Sequence, residues 1–126
     1  MKFLPLAVIL LLGACAHDLA LMKRDETLHA YAAAIRWGAF DEANRYRSSP
    51  AYRRPIADNL RDIKVSGYHV LSQSADKERM TVEQTVELHY YRQGDLVEKK
   101  VVDPQLWHYD DITGQWQIDT PLPRFP

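Results

Sequence analysis

The tightest constraint on this chain is a strict alternation from Arg79 to Arg92. Met80, Val82, Gln84, Val86, Leu88 and Tyr90 hold one phase, and Thr81, Glu83, Thr85, Glu87, His89 and Tyr91 hold the other. Successive side chains of a strand point to opposite faces, so the segment predicts a β-strand with one apolar and one polar face. The apolar face has to be covered by another layer, and the edges of the strand call for partners.

Those partners are written on either side. Ile63 and Val65 alternate, Gly67 intervenes, and Tyr68 and Val70 resume in the opposite phase, the pattern of a β-bulge. Gln93-Gly94-Asp95 is a turn into a third strand, Leu96 to Val102. Asp103-Pro104 reads as an interruption, after which Gln105 to Asp110 continues with Trp107 and Tyr109 on one face. Asp110 to Gly114 supplies turn chemistry, and Gln115 to Thr120 forms a last strand with Trp116 and Ile118 in phase. This places Trp107 and Trp116 as neighbours across the final hairpin, where a cross-strand aromatic pair adds up to ~1 kcal/mol.

The covering layer comes first in the chain. Leu28, Tyr31, Ala32, Ile35 and Ala39 recur at helical spacing between Asp25 and Ala39, with Gly38 as the stop. Asp41 is placed to cap a second helix, Glu42 to Arg47, before Ser48-Ser49-Pro50 breaks the chain. Tyr52, Ile56 and Leu60 share one side of a third helix over Ala51 to Leu60. Helices followed by an antiparallel meander mean α+β: N-terminal helices packed on a curved four-stranded antiparallel sheet. This order of elements, over Asp25 to Phe125, resembles the nuclear transport factor two-like (SnoaL-like) superfamily, which implies a cone-shaped domain. A cystatin-like fold, with one long helix over the sheet, is the rival arrangement.

Ahead of this body stands Met1-Lys2, an apolar run from Phe3 to Leu12, and the small residues Gly13 and Ala14 before Cys15. That is the layout of a secretory signal peptide. Leu12-Gly13-Ala14-Cys15 resembles the lipobox of bacterial lipoproteins, and the resemblance implies that Cys15 is the lipid attachment site. Ala14-Cys15-Ala16 also fits ordinary signal cleavage after Ala16, which would release a free domain. The uninterrupted apolar run falls well short of the ~20 residues that span hydrocarbon. The organisation expected is a signal peptide over residues 1–14, lipidated Cys15 with a short tether over 15–24, and one α+β domain over 25–126. Ala16 after the cysteine, by analogy with lipoprotein sorting, implies the outer membrane with the domain facing the periplasm. Two or more acyl chains make such attachment stable.

With 16 basic and 17 acidic side chains, the chain shows no basic excess that would indicate a nucleic-acid partner. Cys15 is the sole cysteine, so no disulfide supports the fold. Gln84 stands in the middle of the apolar phase of the best strand, where an unpaired amide costs ~1–3 kcal/mol. It either faces a ligand cavity or is satisfied by a helix terminus, a buried water or a bulge. His69, His89 and His108 fall on successive strands, but their spacing matches no compact metal motif, so no metal or cofactor is expected. Asp110-Asp111 reads as a turn, and Glu83 with Glu87 as a solvated row. No catalytic constellation is visible. Arg45, Arg47, Arg53 and Arg54, interleaved with Tyr46 and Tyr52, form a candidate interaction patch for phosphates or an acidic partner. The plainer reading, a solvated surface paired to Asp41, Glu42 and Asp58, outweighs the patch. Phe125 is expected to fold back on its own domain. The functional expectation is a non-enzymatic envelope module, held to the membrane by Cys15, that binds an envelope protein or surface component. The alternative is a small-molecule-binding or isomerase-like domain with a cavity around Gln84.

Overall fold

The structure, a computed structural model, describes residues 4–126, with side chains described from Cys15 onward. The signal-peptide reading of residues 1–14 lies outside those described side chains. One long helix, α1 (Leu4–Arg36), precedes a short helix α2 (Phe40–Asn44), a 3-10 turn (Asp58–Leu60) and four strands. These are β1 (Ile63–Asp76), β2 (Thr81–Arg92), β3 (Asp95–Asp110) and β4 (Gln115–Ile118). They form one antiparallel meander in the order β1-β2-β3-β4. The chain is thus α+β, a long helix on an open four-stranded sheet. No helix among the described residues is long and apolar enough to cross a membrane.

The inner sheet face and α1 share one core. Tyr31, Ala34 and Ile35 of the helix meet Val82, Val86, Leu88 and Tyr90 of β2 and Trp107 of β3. Tyr31 lies edge-on to Trp107 with ring centroids 5.0 Å apart. Phe125 does return, packing edge-on against Tyr90 and Phe40 at 4.9 and 5.7 Å. The tail is fixed there by hydrogen bonds from Tyr90 Oη to Pro126 O and from Arg92 Nη2 to Phe125 O.

The alternation of β2 holds throughout, with Val82, Gln84, Val86, Leu88 and Tyr90 buried. The bulge in β1 is present as a register shift between Val65 and Gly67, and a second shift follows between Val70 and Ser72. Arg36 Nη1 donates to Val65 O at 2.7 Å, tying the end of α1 to the first bulge.

Several expectations are corrected. The helix does not begin at Asp25: residues 15–24 are already helical, Ala20 is buried, and its carbonyl accepts from Trp116 Nε1 at 2.8 Å. The packed body therefore starts at Ala20, inside the stretch read as tether. Asp41 does not cap α2; Ala39 is at the N-cap and Asp41 lies in the first turn. The third helix is absent, and only the 3-10 turn forms between Ala51 and Leu60. Pro55 explains this, because it lacks an amide hydrogen and drives Arg54 out of the helical region. Ile56 and Leu60 nevertheless pack against the core. Asp103-Pro104 does not interrupt β3, whose register with β2 runs unbroken through both residues. At Pro104 only β2 flanks the strand, since β4 pairs from Trp107 onward, so a missing donor on the open side is tolerated. Trp107 stands opposite Ile118 and Trp116 opposite Tyr109, so the two indoles hold diagonal positions of the final hairpin within one core.

The end of α1 is a glycine cap. Gly38 has φ +70, its N–H bonds Ile35 O at 3.1 Å, and the Ala39 N–H bonds Ala34 O at 2.8 Å. These are the two bonds of a Schellman motif, which needs a left-handed residue. Gly38→Ala is expected to destabilise the fold by about 1–2 kcal/mol, read as a lower urea midpoint with an unchanged slope. An unchanged midpoint would remove this role from the cap.

Candidate functional site

The inner face of the sheet is not uniformly apolar. Gln73, Gln84 and Gln105 stand directly opposite one another on β1, β2 and β3. Their amides form a row: Gln73 Nε2 donates to Gln84 Oε1 at 2.8 Å, and Gln84 Nε2 donates to Gln105 Oε1 at 2.7 Å. Gln105 Nε2 then donates to Asp103 Oδ2 at 2.9 Å and to Tyr68 Oη at 3.2 Å. Trp107 Nε1 donates to Gln105 Oε1 at 3.0 Å. Gln84 is therefore satisfied by neighbouring glutamines, rather than by a helix terminus or a bulge.

A groove of about 390 Å³ opens beside the row. Gln73, Gln84 and Gln105 line it with Ser72, Ser74 and Thr120, and Glu83 at its edge is the one charged residue in the lining. An amide has two donor hydrogens and two acceptor lone pairs. The row bonds use one donor and one acceptor of Gln84, leaving one of each. Thr120 Oγ1 is buried with no hydrogen-bond partner. Gln84 and Thr120 thus keep unused donor and acceptor capacity, while Gln105, with two bonds donated and two accepted, keeps none.

Below the row the charges are buried. Asp103 is 4% exposed, and burial pushes its carboxyl up from 3.8 to about 6, against the opposing effects of the Gln105 hydrogen bond and the Arg47 charge. Burial likewise pushes Tyr68 up to about 12. Tyr31, more deeply buried, is raised further still despite the neighbouring Arg47 charge. Sequence reading missed Asp103 because Asp-Pro looked like a break. The signal was its phase, shared with Val101, Gln105 and Trp107.

The arginine patch does not exist as expected. Arg47 is fully buried, donating to Thr120 O at 2.6 Å, Ala43 O at 3.0 Å and Tyr31 Oη at 2.7 Å. Arg45, Arg53 and Arg54 are exposed. Arg45 lines a separate groove of about 490 Å³ between α1 and β4, alongside Lys23, Glu26 and Glu42. The expected partner Asp58 pairs with Arg61 instead, at 3.9 Å.

The three histidines do not converge. His69 and His89 stack edge-on at 4.8 Å, and His89 Nε2 lies 2.7 Å from Glu87 Oε1. The hydrogen bond from His89 holds the Glu87 carboxyl below its usual range. His108 sits elsewhere on the sheet, opposite Thr81, with Nδ1 2.7 Å from Asp119 Oδ2. No group of three His, Cys, Asp or Glu among the described residues could hold a metal. Asp110 is the last residue of β3, not part of the turn, and its carboxyl is held low by the Ile112 N–H that follows it. Cys15 is an exposed free thiol on α1. No protein-family model, curated protein or solved structure matches this chain.

Because folded Asp103 keeps its proton to a higher pH than the unfolded chain, the folded state binds more protons between pH 3.8 and about 6. Stability conferred by that group is complete below this window and falls as pH rises through it. The shift corresponds to about 3 kcal/mol at most. Asp103→Asn keeps an acceptor for Gln105 and removes the buried charge. It is expected to raise the Tm at pH 7.5, by roughly 4–8 °C for each kcal/mol relieved, and to leave it nearly unchanged at pH 4. A lower Tm at pH 7.5 would show that the Arg47 charge needs this carboxylate.

Proposed function

We propose that this chain is a lipoprotein anchored through Cys15 in the outer membrane, facing the periplasm, and that its body is a non-enzymatic binding module of the envelope. The observation that carries the binding reading is the glutamine row beside an open groove. Recognition is set at Gln73, Gln84 and Thr120, which line the groove, and away from the arginines, one of which is buried. Neutral, closely spaced donor–acceptor pairs suit a ligand of the same kind, a chain of hydroxyl and amide groups such as an amino-sugar glycan. Leu106 and Pro104, also in the lining, offer carbon surface to a sugar ring. A groove without a cation gives an anionic ligand no counter-charge.

The cone-shaped, nuclear transport factor two-like arrangement belongs to the same proposal. Two register shifts in β1 support it, since bulges bend a strand and increase its twist. The single long helix fits the cystatin-like rival equally. An isomerase-like activity is the second reading, and Asp103 is the observation in its favour, because a carboxyl with a raised pKa suits general acid–base work. Its burial away from the lining of the groove weighs against it.

Two experiments test the halves separately. Metabolic labelling with a fatty-acid probe is expected to mark the chain and to be lost in Cys15→Ser; a label that persists in that variant refutes the anchor. Titration with an N-acetylglucosamine trisaccharide is expected to shift the side-chain amide NMR signals of Gln84 and Gln105. Gln84→Ala should weaken binding about tenfold, equivalent to ~1.4 kcal/mol. Amide signals that stay fixed at millimolar saccharide would exclude this ligand class.

A further inference from the structure

The solvent side of α1 carries apolar residues that the domain does not use. Cys15, Leu19 and Met22, and then Ala30, Ala33 and, just past the helix end, Trp37, recur at spacings of three and four on either side of an eight-residue gap that Glu26 divides. Residues so spaced share one face of a helix. Every one of them is exposed, with Leu19 at 57%, Met22 at 61% and Trp37 at 87%. The opposite face, through Ala20, Tyr31, Ala34 and Ile35, is the one buried in the domain. The helix is therefore apolar on both sides, and the outer stripe has no partner among the described residues.

Its first residue is the cysteine that the anchor reading places at the bilayer. At 1.5 Å per residue, Cys15 and Trp37 stand about 33 Å apart along the axis. A lipid on Cys15 brings one end of the stripe to the membrane, and the phase of Leu19 and Met22 turns the same face toward it. Trp37 at the far end suits the interface, where an indole keeps its ring in the apolar zone and its N–H near water. The charges beside the stripe are mixed, with Lys23, His29 and Arg36 against Asp18, Asp25 and Glu26. That balance fits a zwitterionic surface rather than an anionic one. A second copy fits less well, because Glu26 inside the stripe would be buried against its equivalent across a helix–helix seam, whereas at a headgroup layer it reaches water.

We infer that α1 lies along the membrane surface, its outer stripe from Leu19 to Trp37 seated on a zwitterionic lipid headgroup layer, so that the domain reclines on the bilayer instead of standing on its anchor. This rests on the lipidation of Cys15. It turns the outer face of the sheet away from the lipid, since α1 covers the inner one.

The test uses the full chain, lipidated and reconstituted into phosphatidylethanolamine–phosphatidylcholine vesicles whose acyl chains carry bromine near the headgroup end. Trp107 and Trp116 are buried, at 0% and 3% exposure, so contact quenching by the bilayer reports Trp37. The expected result is at least a twofold loss of Trp37 emission and a blue shift relative to Cys15→Ser in buffer. Leu19→Glu with Met22→Glu should abolish the quenching while the protein still floats with the vesicles. A chain that floats with an unquenched Trp37 overturns the reclining orientation and leaves the anchor standing. A chain that does not float, and whose mass shows no lipid on Cys15, overturns the anchor and the inference with it. A Cys15→Ser protein that sediments as a dimer with Trp37 shielded assigns the stripe to a second copy and overturns the inference as well.

Discussion

The buried guanidinium of Arg47 is the interaction on which the rest depends. It reaches α1 through Tyr31 Oη, α2 through Ala43 O and the segment after β4 through Thr120 O, three parts of the chain that no strand pairing joins. Its Cζ also lies 5.4 Å from the centre of the Tyr31 ring. A buried cation is tolerated when its donors are satisfied. Two carbonyls and a hydroxyl meet that condition. The Asp103 carboxyl senses the Arg47 charge without an ion pair between them, and burial raises its pKa by more than that charge lowers it.

The buried Asp103 carboxyl sets the character of the inner face. A carboxyl held under the helix draws Gln105 toward it, Gln105 offers its oxygen to Gln84 and Trp107, and Gln84 in turn receives Gln73. The direction of donation is the same along the row, from β1 toward β3, so each amide is oriented by the next. Such a network is high-stakes: complete, it fixes one arrangement; broken at one member, it leaves desolvated polar atoms behind. The outer end of the row, at exposed Gln73, meets the groove.

How much of this was legible depended on which signal a residue gave. The alternation of β2 was legible because its apolar phase is nearly pure, and the meander followed from the turns at Gly94 and Gly114. Gln84 stood out for the same reason, as an amide in an apolar phase, although its partners lay on other strands and could not be named in advance. Arg47 was read as exposed because three other arginines sit near it in sequence; nothing local marks one of four as buried. Asp103 was hidden by Pro104, since an Asp-Pro pair is a turn signal and only the absence of β4 beside it lets the strand continue. The third helix was suggested by spacing alone, and the backbone chemistry of Pro55 overrode it. The early start of α1 was masked by the anchor motif, which drew residues 15–24 into a tether although Ala20 packs against Trp116.

The claim that the inner face is organised around a desolvated acid is tested most directly by a carbon-13 NMR titration of the Asp103 carboxyl. The account expects a midpoint near 6, with the side-chain amide signals of Gln105 and Gln84 moving in step as the proton leaves. A midpoint in the ordinary range of an exposed aspartate, with the amide signals unmoved, would contradict it.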